Sequence, residues 1–565
     1  MTFWHSRSAL RRRTLHSMSD RPLLYPTPRT CTRFAGTVTA TATVIRHLDP
    51  ALVGDEAYRL RIADDQITLT ARTPTGLRWA DATLTQIRAQ NGHQLPALLI
   101  EDAPAFAQRG FMLDISRDRV PTLATLRGLV DVLVSLKGNR LQLYIEHTLA
   151  YAGHATVWAE ASPLTLADLD TLDAYCRERD VALDANQNCL GHYERWLKHP
   201  AYSDLAELPA PQMVKAPWGD WFSPRTTLNP LDERSFALVS DLLTQQLPAC
   251  SGEFANIGCD EPFDLGYGRS ATACATEGKG RIYSRWVTKV ARLVQNLGKR
   301  PQYWCDPHPN EDDGLPRDLL ALVWGYEYDE DFATRIAAHC RAGREVWVAP
   351  GTGGWASYLG RTSYRRENLT RAAAQAAAAT GMLVTEWGDQ GHQQPWPVTL
   401  FGLADGMQAA WSGSSHFDDA AAGQAVFGDP AAGRWLAEAG EADGELTRQS
   451  RNISATFRDA GIDFLSADGS GTREQWQACS ARLDALRATL PAGWWADEAR
   501  LGLELSRWAA DRAVVRRAGT GSSLAERSEL SIRLCGLIPL YRRQWLARCG
   551  AGGLEDSMAR LRHHV

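Results

Sequence analysis

Between Gly110 and Trp411 the sequence alternates short apolar runs with segments of helical period, eight times over. The runs are GFMLDI (110–115), NRLQLYIE (139–146), VALDAN (181–186), EFANIGCD (253–260), PQYWCD (301–306), LALVWG (320–325), REVWVAP (344–350) and GMLVTEW (381–387). Runs this short and apolar suit strands buried on both faces, and each is followed by enough chain to carry a helix back across the sheet. PTLATLRGLVDVLVSLKG places Leu123, Leu126, Val130, Leu133 and Leu136 at three- and four-residue spacing, between Pro121 and Gly138. RIYSRWVTKVARLVQNLG repeats the design with Ile282, Trp286, Val290, Leu293 and Leu297 before Gly298. Eight such units predict an α/β fold, a (β/α)8 TIM barrel over residues 106–425. The rival, a doubly wound open sheet, would carry a glycine-rich phosphate turn after its first strand, and GFMLDISRDRVP has none.

The flanks read differently. Residues 35–105 predict a small N-terminal α+β domain. EAYRLRI and QITLTA alternate as strands do, TGLRWADATLTQIRAQ sets Leu77, Ala80, Leu84 and Ile87 on one helical face, and ALLIED closes with a strand. Residues 1–34 read as a disordered leader, arginine-rich but without the apolar run of a secretory signal. Residues 426–565 predict a C-terminal helical domain, with Trp476, Cys479, Leu483 and Leu486 on one face and a capping box from Ser523 to Glu526. Packing against the barrel and forming a homodimer are both open to it.

Composition narrows the partners. With 61 basic and 66 acidic residues the net charge is −5, which leaves no basic surface for nucleic acid or an anionic membrane. No apolar stretch approaches the length of a membrane span. The 11 cysteines are scattered and form no Cys-x-x-Cys pair, which points to neither a disulfide framework nor a thiolate zinc site. A reducing, cytoplasmic location is expected.

Barrel enzymes build their sites at the carboxyl ends of the strands. Those ends supply Arg117 after the first strand, Glu146 and His147 at the second, and Asn188 and His192 after the third. The fourth ends in Asp260 and Glu261, the fifth gives Trp304 and Asp306, and the sixth Trp324 and Glu327. Trp355 follows the seventh, and Trp387 and Asp389 the eighth. A single tryptophan is better read as core filler. Four at matching strand ends, among carboxylates, suit a carbohydrate, because indole faces stack on a pyranose while acids and arginine hold its hydroxyls. The dipeptide Asp-Glu occurs at 55, 232, 260, 329 and 497, but only the pair at 260 directly follows an apolar strand. Crowding two carboxylates raises the proton affinity of one, leaving an acid and a base near neutral pH. The first strand lacks the His-x-His of a metal-dependent barrel hydrolase, so neither metal nor cofactor is expected.

APAFAQRGFMLDISRDRVP, the IGCDE segment, CLGH after the third strand and YRLRIADDQITLTARTPTGLRWADATLTQI together resemble glycoside hydrolase family 20, the β-N-acetylhexosaminidases, over roughly residues 35–415. The resemblance implies an exo-acting enzyme that releases terminal β-linked N-acetylhexosamine with retention. Glu261 would be the general acid and base, and Asp260 would orient the substrate's own 2-acetamido nucleophile. It implies that Arg117 grips sugar hydroxyls, that His192 supports the site, and that Trp304, Trp324, Trp387 and Asp389 line it. Three departures stand out. LQLYIEHTLAY replaces a His-x-His-x-x-Asp-Asp-like run, Leu190 replaces the proline of a Pro-Gly-His turn, and PGTGGWASY lacks the Tyr-x-Asp pair, with Tyr326 and Tyr358 the nearest tyrosines. The alternatives are a related glycosidase for a different or decorated sugar, or an inactive carbohydrate-binding protein.

Overall fold

The computed structural model describes residues 22–306, 314–413, 416–446, 453–461, 471–519 and 523–563. The first layer is a five-stranded sheet of β1 (Thr30–Thr39), β2 (Val44–Leu48), β3 (Tyr58–Ala63), β4 (Gln66–Ala71) and β5 (Gln94–Asp102), in the order β1-β5-β3-β4-β2. The helix Pro74–Asn91 buries Trp79, Ala80, Leu84 and Ile87 on this sheet, in a core separate from that of the barrel. Thr73 caps it by accepting the Gly76 amide.

The leader expected over residues 1–34 does not hold for its second half. Tyr25 is fully buried and its hydroxyl donates to Asp405 at 2.8 Å, while β1 already begins at Thr30. Residues 1–21 lie outside the described residues.

All eight predicted runs are barrel strands. In chain order they are β6 (Gln108–Asp114), β7 (Arg140–Tyr144), β8 (Ala182–Asn186), then a hairpin of β9 (Gln212–Ala216) and β10 (Gly219–Ser223), then β11 (Phe254–Asn256). β12 (Arg300–Cys305), β13 (Leu320–Trp324), β14 (Val346–Ala349) and β15 (Gly381–Glu386) complete the set. The eight pair in parallel, and β11 meets β8 to close the barrel. The β9–β10 hairpin is an insertion that the apolar pattern did not reveal.

The barrel interior carries a belt of amides beneath the strand ends. Gln142 accepts from Asn186 at 3.1 Å and Asn256 at 3.3 Å and donates to Gln302 at 2.8 Å, and all four side chains are buried. Gln142 is thereby paired at both ends, while Asn186 Oδ1 and Gln302 Nε2 are buried without a partner. The sheet domain is locked on by Lys137, which reaches Asp102 at 2.9 Å, and by Arg109, which pairs with Glu56 between the rings of Trp79 and Trp411.

The C-terminal helices, among them Arg473–Thr489, Ala496–Arg517 and Leu524–Arg548, share one continuous buried cluster with the barrel. The capping box at Ser523 and Glu526 is present. This segment buttresses the barrel.

Candidate active site

The fourth barrel strand is cut short so that its acids can turn inward. β11 pairs for only three residues, after which Gly258, Cys259 and Glu261 adopt φ of +63°, +68° and +49°. Neighbours on a regular strand point to opposite faces, and this left-handed turn lets Asp260 and Glu261 meet on one side. Two non-glycine residues in that region cost about 1–3 kcal/mol each. Their neighbours hold them there, since the Cys259 amide donates to Asn188 Oδ1 at 3.2 Å and the Gly258 amide to Asn256 Oδ1 at 3.0 Å.

His192 stands between the two acids. Its Nε2 lies 3.5 Å from a carboxylate oxygen of Asp260 and 3.5 Å from one of Glu261. Burial alone would depress the imidazole, but the Asp260 charge overrides it and pushes His192 up to about 10. Asp260 is desolvated too, yet His192, Arg117 and the 2.8 Å hydrogen bond from Asn188 Nδ2 hold it below the usual carboxylate range. Glu261 goes the other way. Burial, reinforced by Asp260, outweighs His192 and raises it to about 7. Asp306 accepts the Glu261 amide at 3.1 Å, and burial beside both acids pushes it well above its ordinary value. The cluster therefore holds one carboxylate kept ionised, one protonatable near neutrality and one that burial pushes upward.

Arg117 forms the floor beside them. It pairs with Asp114 at 2.9 Å and Glu146 at 3.3 Å, with Asp389 at 3.8 Å, and its guanidinium lies 4.9 Å from the Tyr144 ring centre and 5.0 Å from that of Trp387. Burial outweighs Arg117 and lifts Glu146 to about 8, and the Tyr144 hydroxyl donates to it at 3.0 Å. The wall is aromatic. Trp387 meets Tyr144 edge-on at 4.9 Å and Trp304 at 5.9 Å, and its Nε1 donates to the Tyr326 hydroxyl at 2.8 Å. Tyr326 in turn stacks on Trp324 at 5.4 Å and meets Trp355 at 5.2 Å. The indole nitrogens of Trp304 and Trp324 are buried without a partner.

The structure thus gathers Asp260, Glu261, Arg117, Glu146, Asn188, His192, Trp304, Asp306, Trp324, Trp355, Trp387 and Asp389 into one connected cluster. It does not bring in His147. Burial beside Arg195 and Lys198 pushes that imidazole down to about 3, and no hydrogen bond, ion pair or ring contact joins it to the acids. Glu327 is set aside from the acids, against Tyr364 and Arg361, where burial raises it to about 7. Sequence reading missed Tyr144 and Asp114, the inward residues of β7 and β6, whose only signal was a polar group at a strand end. It also missed Glu386, buried at the end of β15, which binds Thr352 and accepts from Gln394 at 2.7 Å. Among the described residues, His192, Asp260 and Glu261 form the one trio with ligand-type atoms within 4.8 Å of one another.

A family model described as the catalytic domain of glycosyl hydrolase family 20 matches residues 106–394, half of the 565-residue chain, and domain 2 of the same family matches residues 29–103. The chain belongs to glycoside hydrolase family 20. A β-N-acetylhexosaminidase of Cellulomonas fimi is 26% identical over 53% of this chain and 59% of its own length, and a β-hexosaminidase of Akkermansia muciniphila is 27% identical over 45% and 57%. The chain therefore spans less than two thirds of the length of these relatives. The solved family 20 exo-β-N-acetylglucosaminidase of Vibrio harveyi shares the fold at a TM-score of 0.57 with 14% identity, over 69% of this chain and 73% of that one. The Flavobacterium johnsoniae chitobiase aligns over 97% of this chain and 99% of its own, with a TM-score of 0.61 and 15% identity.

In this family 20 chain the C-terminal segment clasps the loops that carry the site. Asp118, next to Arg117 and at φ +74°, receives Arg195 at 2.6 Å and Arg560 at 2.7 Å. Arg195 lies three residues beyond His192, so one buried carboxylate ties the first and third barrel loops to the helix Leu554–Arg562. The eighth loop joins them, since the Ser557 hydroxyl donates to the Gly391 carbonyl at 2.6 Å. A Cβ on Gly553 would fall 2.0 Å from the Asp118 carbonyl oxygen, which demands glycine there.

Proposed function

We propose that the protein is an exo-acting glycoside hydrolase that removes terminal β-linked N-acetylhexosamine with retention of configuration. The observation that carries this is the split pair, Asp260 held ionised and Glu261 raised to about 7, around a protonated His192 beside an aromatic wall. Family membership and the names of its relatives support the substrate class.

In the first step Glu261 gives its proton to the glycosidic oxygen as the bond to C1 breaks, and the substrate's acetamide oxygen closes on C1 to form an oxazolinium ion. No protein nucleophile is required. Asp260 accepts from the acetamide N–H and balances the charge that develops on the ring. In the second step the Glu261 carboxylate takes a proton from water as the water oxygen bonds to C1 and the oxazoline ring reopens, which restores the acid. Arg117, with Glu146 and Asp389, holds the hydroxyls of the terminal sugar. The Tyr326 hydroxyl, delivered by the sixth loop, takes the place of the tyrosine missing after the seventh strand. The 11 free thiols support a reducing, cytoplasmic setting, and no helix among the described residues is long and apolar enough to cross a membrane.

The test is hydrolysis of p-nitrophenyl N-acetyl-β-glucosaminide and galactosaminide against the plain β-glucoside, with and without a thiazoline mimic of the cyclised intermediate. Release from the N-acetyl substrates alone, blocked by the thiazoline, is expected. Release from the glucoside with no effect of the thiazoline would overturn the acetamide mechanism. It would favour a related glycosidase in which Asp260 has another duty.

A further inference from the structure

We propose that the β9–β10 hairpin is the leaving-group side of this site, a platform of Trp218, Trp221 and Phe263 that receives a second pyranose ring of the substrate. The inference rests on Glu261 being the proton donor, because the departing sugar must then pass beside Glu261.

Phe263 stands two residues beyond Glu261, across Pro262, and its amide donates to the Glu261 carbonyl at 2.7 Å. Its ring meets Trp218 at 5.1 Å and 81° and Trp221 at 6.0 Å and 79°, and the two indoles lie 6.1 Å apart at 69°. These near-perpendicular contacts fix the rings without laying any of them flat on another, and all three remain partly exposed. The hairpin has two distinct faces. In register, Trp221 lies opposite Val214, on the side where Val214, Ala216 and Ser223 are buried. Phe222 and Met213 face outward, 60% and 54% exposed.

Trp218 adds a polar signal, since its Nε1 is buried with no acceptor. A buried donor left unpaired costs about 1–3 kcal/mol, and a sugar hydroxyl would satisfy it. The platform is also pre-formed. Asp264 accepts the amides of Thr226 at 2.7 Å and Thr227 at 3.0 Å, Gln212 donates to the Tyr267 carbonyl at 2.8 Å, and Glu207 accepts from Ser270 and Gly268. The hairpin is thus pinned to the loop that follows the acid. Rigid aromatic rings beside a donor, on a fixed base, are what stacking on a pyranose face requires.

The experiment compares kcat/KM for a β-linked N-acetylhexosamine disaccharide and for the methyl N-acetyl-β-hexosaminide. The proteins are the full-length wild type, Trp221→Ala, Trp218→Phe, and Phe222→Ser on the outer face. Trp221→Ala is expected to lose about tenfold on the disaccharide relative to the methyl glycoside, the lower end for one apolar contact. Trp218→Phe, which keeps a ring but loses the donor, should lose less, and Phe222→Ser should leave the ratio alone. A ratio unchanged in Trp221→Ala and Trp218→Phe, with thermal unfolding showing both folded, overturns the platform. If the wild type cleaves neither substrate, the glycosidase reading falls instead. The hairpin is then judged by calorimetric binding of disaccharide against monosaccharide to wild type and Trp221→Ala, and an unchanged difference overturns it.

Discussion

Replacing His192 with glutamine should move the pH profile of the enzyme toward alkali. In the native site an imidazolium lies 3.5 Å from each of two carboxylates. At an effective dielectric of about 20, one such contact amounts to about 5 kcal/mol. That is an upper bound, because the Glu261 side chain is 30% exposed and water will enter the space vacated by the ring. A residual effect of about 1–2 kcal/mol corresponds to about one pH unit. The direction follows from the charge removed. His192 favours the ionised form of Glu261, whose carboxyl lies at about 7 with the cation present, so without it Glu261 keeps its proton to higher pH. The alkaline limb of kcat/KM, which reports loss of the general acid in the free enzyme, should rise by about one unit from its position near 7. The acid limb should rise as well, because Asp260 loses the partner that holds it low. The measurement is kcat/KM for an aryl N-acetyl-β-hexosaminide across pH 4–10 in both proteins. An alkaline limb that stays in place or moves to lower pH would show that His192 is not charged between the acids, and the assignment of roles would fail with it.

Other consequences can be checked separately. Glu261→Gln should lose about 10²–10⁴-fold in turnover of alkyl and sugar leaving groups, and much less with a dinitrophenyl group that leaves without a proton, as measured by kcat on the two substrate classes. Arg560→Ala should raise KM about fivefold, equivalent to about 1 kcal/mol, with kcat less affected, because it loosens the Asp118 anchor of the Arg117 loop; Arg533→Ala, which breaks the 2.6 Å pair with Asp511 elsewhere in the C-terminal helices, should not. Asp405→Asn should cost about 3–5 kcal/mol in urea denaturation at neutral pH, since it leaves the buried Arg365 guanidinium unpaired. Asp405 is held below its ordinary value, so its contribution is complete above about pH 4 and is lost as pH falls through the depressed value, and the gap between wild type and variant should narrow there.

The barrel was legible because strands buried on both faces leave short apolar runs, most of which end abruptly in polar residues. The acid pair was legible for the same reason, as a doubled charge where burial forbids one unless it has work to do. What escaped lacked that contrast. The hairpin β9–β10 turns at Pro217 and Trp218, and its apolar residues, Met213 with Val214 and Trp221 with Phe222, fall side by side rather than alternating. β1 and β2 are edge strands, largely exposed, so their composition follows solvent rather than core. His147 sits beside Glu146 in sequence, but β7 ends at Tyr144 and the backbone turn separates the two side chains. The place of Tyr326 could not be read either, because it depends on a hydrogen bond to Trp387, which lies 61 residues away in the chain.

The clasp on Asp118 also sets an order of events during synthesis. Arg560 lies 442 residues downstream of the carboxylate it holds. At ribosomal speeds of about 5–20 residues per second, that partner emerges roughly 20–90 seconds after the first loop. Through that interval a nascent chain can close its barrel while the loop that carries Arg117 lacks this anchor. The growing polypeptide should hold its sugar more weakly until the helix Leu554–Arg562 has docked.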